Sequence, residues 1–375
     1  MPKQAVLLLA HGTPETVEQI PEYLRNVVSG RPVPQHVVEE IQHRYSLIGK
    51  SPLTEITMAQ ARLVEAELNG IGEESSASHP SDKNKDVARI HPTDVDLSAG
   101  APGLGHPAVP VYVGMRNWRP YIPEVVRQMR ADGVEEAAVI CMAPQNSRTS
   151  VGLYRRAAEA EANGLRIDFT AGWAEHPLLA EAFAERLRPA WAKLIAEVGE
   201  AVPVLFTAHS VPTRTVAAPA VGAGSASHPS DKNKDVARVG HPEPRLWPGE
   251  GVDPYAEDAR RTAEMVAARV PEIPRWWFAF QSQGASGGPW IGPSVEETLD
   301  QLAGEGVKAI ILQPIGFLCD HVEILYDVDI FFREYAAKKG IRLERPESLN
   351  ESQTLARAVA DLARDGLRRL QDAKG

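Results

Sequence analysis

A chain of 375 residues, 43% hydrophobic and 24% charged, can bury two cores and has the composition of an ordinary globular protein. Its formal charge of -10 argues against nucleic acid as the main partner, because phosphate binding needs a basic field. Its two cysteines, Cys141 and Cys319, form no CxxC pair, which argues against a thiolate zinc site or a local iron–sulfur motif.

The chain opens on an apolar run at 4–10, QAVLLLA, broken at once by His11-Gly12-Thr13-Pro14. The run is too short to cross a membrane and no cleavage signal follows, so it reads as a first strand of a cytoplasmic protein. Thr13 as N-cap with Pro14 next is a helix-start pattern, and the free N–H groups there can hold a carboxylate or phosphate. Further apolar runs fall at 109–115, 136–143, 165–171, 202–208, 275–281 and 308–314, with a short one at 341–345. They are rich in Val, Ile, Leu and aromatics, as parallel strands covered on both faces are. Helical stretches lie between them. Residues 254–270 carry Ala259, Ala263, Val266 and Val270 at helical spacing, and a last helix runs over 351–370. The alternation predicts an α/β fold of two Rossmann-like, doubly wound parallel-sheet domains, 1–174 and 175–350, followed by a C-terminal helix, 351–375.

One fourteen-residue string, SASHPSDKNKDVAR, occurs verbatim at 76–89 and again at 225–238. The surrounding segments, 72–108 and 215–250, are rich in Ser, Gly, Pro, Asp and Lys and have no apolar periodicity. Connections in α/β units normally take a few residues, so both segments read as loop insertions, where added length is thermodynamically cheap. His79, His91, His106, His228 and His241 lie inside them. His-Pro without a second ligand at helical spacing is a weak metal motif, and the inserts read as inert.

Six histidines remain, and three of them sit at strand ends, where doubly wound sheets bind ligands. In VPVLFTAHSVPTR an apolar strand runs straight into His209. That imidazole either bonds a nearby carbonyl or works in the crevice. In QPIGFLCDHVEILYDVDI, Asp320 can cap a helix with Glu323 completing a capping box. The box leaves the rest unexplained. Glu323 and Asp327 are four apart with no Lys or Arg between them, a pairing that costs about 0.2–0.5 kcal/mol in an isolated helix. Glu334 continues the row and His321 adds a nitrogen. A solvated acidic face is the plain alternative. A row of carboxylates leading to an imidazole suits a divalent cation, proton removal, or both. Trp290, after a Gly-rich turn, can stack on a flat ligand or simply pack. The residues alone thus end at a two-domain α/β protein with an imidazole, carboxylates and an aromatic in a cleft.

At these residues the chain resembles the ferrochelatases, which insert ferrous iron into a porphyrin at the end of heme synthesis. The resemblance rests on GTPETVEQIPEYLRNVVSGRPVP, RYSLIGKSPLTEIT, VYVGMRNWRPYIPEVVRQM, APQNS, FTAHSVP, DPYAED, GPWIGPSVEETL, QPIGFLCDHVEILYDVDI and PESLN. Together these run nearly end to end and skip only the two repeat-bearing segments. The resemblance implies a chelatase-like fold and assigns roles. His209 is the catalytic histidine, Glu323 faces it across the porphyrin, and the pair forms the metal site. His321 supports Glu323 or the macrocycle, and Asp327 extends a path for metal or protons. Trp290 and Phe317 line the porphyrin cleft, with Met115, Arg116 and Tyr121 on another wall. At the lip, Arg31 or Arg44 meets propionates. His11 stands where other members carry Tyr or Met, either as an axial ligand or as packing, and Asn117 stands where some carry His.

That tyrosine's absence, with PESLN and GPW retained, favours protoporphyrin IX over coproporphyrin III. Fe²⁺ is then a substrate. No resident cofactor is needed, and no iron–sulfur cluster is expected, since no cysteine cluster trails the C-terminus. A greasy porphyrin makes peripheral contact with the inner membrane an expectation too. Two other readings stand: a cobalt or nickel chelatase of the same fold, and a non-catalytic porphyrin-binding protein, against which intact His209 and Glu323 argue.

Overall fold

The computed structural model describes residues 2–70, 108–148, 150–216, 253–283 and 289–373. Both copies of the repeated string, with the five histidines in and beside them, lie outside the described residues. Each expected run forms a strand. In the first half these are β1 (Gln4–Ala10), β2 (Val111–Met115), β3 (Glu136–Cys141) and β4 (Arg166–Thr170). In the second they are β5 (Val204–His209), β6 (Trp276–Gln281), β7 (Ala309–Pro314) and β8 (Arg342–Glu344).

Helices fill the connections. They are α1 (Ile20–Val27), α2 (Gln35–Ile48), α3 (Leu53–Leu68), α4 (Ile122–Ala131), α5 (Val151–Glu159) and α6 (Pro177–Val198). After them come α7 (Thr213–Val216), α8 (Tyr255–Ala267), α9 (Val295–Gly304), α10 (Arg333–Lys338) and α11 (Gln353–Asp372). All strand pairs are parallel.

The first sheet has the order β2-β1-β3-β4 and the second β6-β5-β7-β8, so the second half repeats the first strand for strand. In each half the chain leaves its first strand toward one side and later returns on the other. That reversal opens a crevice at the carboxyl end of the first strand, the usual ligand position of such sheets. His11 follows β1 and His209 ends β5, so the two histidines occupy equivalent places.

The continuous apolar runs are explained by burial on both faces. Along β1, Val6, Leu8 and Ala10 join a large core shared with β5, β7, α6, α8 and α11, whereas Ala5, Leu7 and Leu9 join a smaller core under α4 and α5. In β5, Val204, Phe206 and Ala208 enter the shared core and Leu205 enters a third cluster under α9 and the segment after β7. One apolar layer thus lies between the two sheets.

The last helix of each half crosses over. After β4, α6 packs on α8 and β7; after β8, α11 packs on α3, β3 and β4. The crossing of α11 is close. A Cβ on Gly366 would stand 2.9 Å from Cβ of Ala138 and 3.0 Å from a carboxylate oxygen of Asp168. Nearby, Arg369 grips that carboxylate with two bonds of 2.9 and 2.6 Å.

In an exposed helix, Gly to Ala gains stability through helix propensity. Here the added methyl meets backbone-borne carbon, so Gly366→Ala is expected to lower unfolding free energy by about 1–3 kcal/mol. Urea denaturation of the two proteins checks this.

Candidate active site

The two imidazoles of the second half are held alike. His209 Nδ1 bonds the Ser210 carbonyl, and His321 Nδ1 lies 3.1 Å from the Cys319 carbonyl. With Nδ1–H donating to a carbonyl, each ring presents Nε2 outward. Both Nε2 atoms face the same carboxylate: His209 at 3.5 Å from Glu323 Oε1, His321 at 3.8 Å from Glu323 Oε2. Phe317 lies between the rings, 6.3 Å from His209 edge-on and 4.5 Å from His321. The end of β5 is fixed by Tyr255, whose hydroxyl donates to the His209 carbonyl at 2.9 Å. Ser210 is wholly buried, and its amide donates to the Gln281 carbonyl at 2.7 Å. His209 and Glu323 lie deep in the crevice yet keep 28% and 30% of their side-chain surface open to it.

Burial disfavours charge on both partners. At His209 the Glu323 carboxylate outweighs burial and holds the imidazole up at about 9. At Glu323 burial is likewise outweighed, and the two histidines hold its carboxyl well below the usual carboxylate range. Asp327 moves the other way: burial, reinforced by the Glu323 charge, lifts it to about 6 against the pull of Ser282, Arg44 and His209. The row therefore carries one firm negative charge at Glu323 and one that is easily protonated beside it.

Several expectations need correction. Residues 323–332 form a π-helix, Glu323–Phe332, instead of α-helix. Such helices are rare and concentrate at functional sites. Asp320 caps nothing: the His321 carbonyl accepts the first amides, Ile324 at 3.0 Å and Leu325 at 2.9 Å. The Asp320 carboxylate accepts instead from Ser348 at 2.6 Å and Asn350 at 2.9 Å. Glu334 is exposed on α10, so the inward row ends at Asp327. Arg44 is not a free lip residue. It pairs with Asp327 at 3.0 Å and Glu40 at 3.0 Å, with its guanidinium 4.8 Å from the Tyr326 ring centre. The basic partner that 323–327 lacks locally thus comes from α2 in the other half.

The opposite wall is built at the end of β1. Gly12 takes φ +74°, and a Cβ there would stand 2.7 Å from Cβ of Met115. That close approach buries Met115 completely, so it gives the crevice no surface. His11 Nε2 lies 2.8 Å from the Tyr23 hydroxyl, with the Asn117 amide at 3.1 Å. Arg116 lies over Tyr154, 5.7 Å from its ring centre, and Tyr121 accepts from Asn26 at 3.0 Å. Arg31 donates from Nε to the Val28 carbonyl at 3.0 Å, closing the end of α1. Trp290 bridges to Pro212 in a short antiparallel strip, with Ile291 N donating to Val211 O at 3.0 Å. Residues 289–291 are thereby tied to the residues that follow His209.

Sequence reasoning missed a hydroxyl cluster. Thr13, Tyr45 and Ser51 are 2%, 0% and 3% exposed, and none of their hydroxyls makes a well-formed hydrogen bond. Burial holds the Tyr45 phenol above its ordinary range; Ser51 and Thr13 lie near enough to oppose that, and Glu323 near enough to add to it. Nothing in spacing or composition marks Tyr45 or Ser51, and Thr13, expected as a helix N-cap, caps none, because the first helical turn starts at Val17 with Thr16 as its N-cap. Ser282 was missed too: at φ +61° its hydroxyl reaches Asp327.

The Ferrochelatase family profile matches residues 3–79 and 98–367. The chain is 51% identical to a ferrochelatase of Acidobacterium capsulatum over 370 residues, 98% of this chain and 96% of that one. It is 34% identical to a ferrochelatase of Thermus thermophilus, covering 95% of this chain and 97% of that one. It is 30% identical to a coproporphyrin III ferrochelatase of Mycolicibacterium vanbaalenii, covering 96% and 89%. A family match over nearly the whole chain and a relative sharing half of its residues leave one conclusion: this chain belongs to the ferrochelatase family of metal chelatases, which insert iron into porphyrin for heme synthesis.

Proposed function

We propose that His209 and Glu323 are the reacting pair of this chelatase, and that protoporphyrin IX is the porphyrin it metallates. The observation that supports the pair is the 3.5 Å approach of His209 Nε2 to Glu323 Oε1 at the crevice of the second sheet. Insertion exchanges two pyrrole protons for Fe²⁺ and strips the ion of water, with no change of oxidation state. An imidazole and a carboxylate are suitable ligands for Fe²⁺ and suitable proton acceptors.

At neutral pH the pair shares one proton, since His209 is held up at about 9. An arriving cation displaces that proton to solvent, and as the ion moves on to the porphyrin the vacated imidazole takes one pyrrole proton. Asp327, raised to about 6, is the next acceptor along the π-helix. Phe317 and Trp290 are the aromatic lining in this reading. No resident cofactor enters the scheme. Cys141 and Cys319 act as buried thiols, with burial pushing Cys319 up to about 12.

The choice of protoporphyrin rests on His11 in place of tyrosine. A specific observation favours the other porphyrin: the hydroxyls of Thr13, Tyr45 and Ser51 are buried beside one another without a well-formed hydrogen bond among the described residues. Coproporphyrin III carries propionates where protoporphyrin IX carries vinyl groups, and an added carboxylate is the partner such hydroxyls fit. No helix among the described residues is long and apolar enough to cross a membrane. Peripheral contact is part of the protoporphyrin reading, supported by Leu47 on α2, 51% exposed, and Phe331 on the facing π-helix, 43% exposed.

Anaerobic Fe²⁺ insertion, followed optically with both porphyrins, tests the assignment. His209→Ala and Glu323→Gln are each expected to lower kcat by about 10²- to 10⁴-fold. Wild-type rates in both variants would remove the pair from the mechanism. Ser51→Ala is expected to raise the KM for coproporphyrin III alone if the second reading holds, and to leave both substrates unaffected if it does not.

The pH dependence of metal binding follows from the same pair. A proton must leave His209 before the imidazole can ligate, so Co²⁺ affinity is expected to rise with pH and level off near 9. In Glu323→Gln the main force holding the imidazole up is gone, and the levelling point moves to lower pH. A Co²⁺ titration by absorbance between pH 6 and 10, about the range in which a histidine held up in this way ionises, reads both.

A further inference from the structure

The π-helix that carries Glu323 and Asp327 is held by Arg44 at Asp327 and, further along, by a second cation, Arg345, at Asp329. Arg345 follows β8 directly, its side chain only 10% exposed. It bonds Asp329 through two parallel contacts, Nε to Oδ1 at 2.8 Å and Nη2 to Oδ2 at 2.7 Å. Its third nitrogen reaches Asp320 at 3.3 Å, the Pro346 carbonyl at 3.1 Å and Ser348 Oγ at 3.1 Å. Asp320 precedes Glu323 by three residues and Asp329 follows it by six, so the guanidinium spans the part of the chain that carries Glu323.

The surroundings complete a clamp. Ser348 and Asn350 hold the Asp320 carboxylate, and Asn350 Oδ1 accepts from the Asp320 amide at 2.9 Å. Asn350 takes φ +42°, and its amide donates to the Leu318 carbonyl at 3.0 Å. From the other half, buried Gln60 of α3 donates to the Asn350 carbonyl at 2.9 Å and the Leu318 carbonyl at 3.3 Å. β8 pairs with β7, so the sheet anchors Arg345 on the far side of the segment that β7 feeds. Exposed single ion pairs contribute little. This one has a guanidinium only 10% exposed against carboxylates 21% and 23% exposed, and it is forked and joined to further hydrogen bonds, which gives it geometric authority.

We propose that Arg345 is a positioning residue for iron insertion: by joining Asp320 to Asp329 it keeps the π-helix wound so that Glu323 faces His209. The inference rests on the His209–Glu323 reading of the site. Losing an outer partner of a metal-binding group typically costs about 10- to 100-fold in activity or metal affinity. Arg345→Met in the full chain is therefore expected to lower kcat and Co²⁺ affinity by about 10- to 100-fold with porphyrin KM nearly unchanged. Amide hydrogen exchange should rise at 323–332 and stay as before in the strands. Asp329→Asn, which removes the fork's acceptor charge and leaves the arginine, should move the same readouts in the same direction, and it carries the test alone if Arg345→Met does not fold.

A folded variant with wild-type kcat overturns the proposal. So does faster exchange at 323–332 with unchanged Co²⁺ affinity, which would make the clamp structural only. Glu323→Gln run alongside separates the two ideas. Wild-type kcat there defeats the reading of the site, whereas loss there with no loss in Arg345→Met defeats the clamp.

Discussion

A parallel sheet must be covered on both faces, and this chain has two sheets. It meets the requirement with a single apolar layer between them, into which β1, β5 and β7 all send alternate side chains. Because the layer is shared, neither sheet can slide without exposing the other. The crevices at the carboxyl ends of β1 and β5 are therefore set in a fixed relation. His11 and His209 inherit equivalent places from equivalent strands, yet their neighbourhoods differ. One is met by phenol and amide groups, the other by a carboxylate. A repeated topology has been given different chemistry on its two sides.

The electrostatics of the second side follow from opposing effects of similar size. Burial works against every charge in the crevice, and the imidazole and carboxylate resist it only by standing next to each other. Asp327 is held by Arg44 from the other half and by Ser282, and it still titrates high because it is buried and Glu323 is close. The charge state of the site is thus a property of the group and not of any one side chain.

The strands were legible as apolar runs bounded by polar turns, although β4 is half-buried along its length and β8 buries Leu343 alone. Strand-end position and spacing pointed to His209 and Glu323 one at a time, and only the resemblance paired them, as their 3.5 Å approach does. The π-helix was not. Its buried residues Ile324, Val328 and Phe332 recur every four positions, a pattern that α- and π-windings satisfy equally. Asp320 and Glu323 read as a capping box because local grammar allows one, but the partners that hold Asp320 lie 28 and 30 residues later. Arg44 and Asp327 are 283 residues apart, and no local pattern joins them. Met115 misled because a strand end near a crevice is normally lined, whereas Gly12 folds the β1 loop directly over it. What escaped was contact between distant segments, on which periodicity is silent.

The crossed terminal helices have a consequence for the order in which the chain is made. Domains usually form as units while synthesis proceeds from the N-terminus. Here the first sheet, complete once β4 has been made, still lacks the cover that α11 gives β3 and β4, and α11 follows β8. The first half must leave the ribosome with an apolar face bare and keep it until the second half has been finished. The two halves therefore complete one another: the cover of the first sheet is supplied by a segment made only after the second sheet.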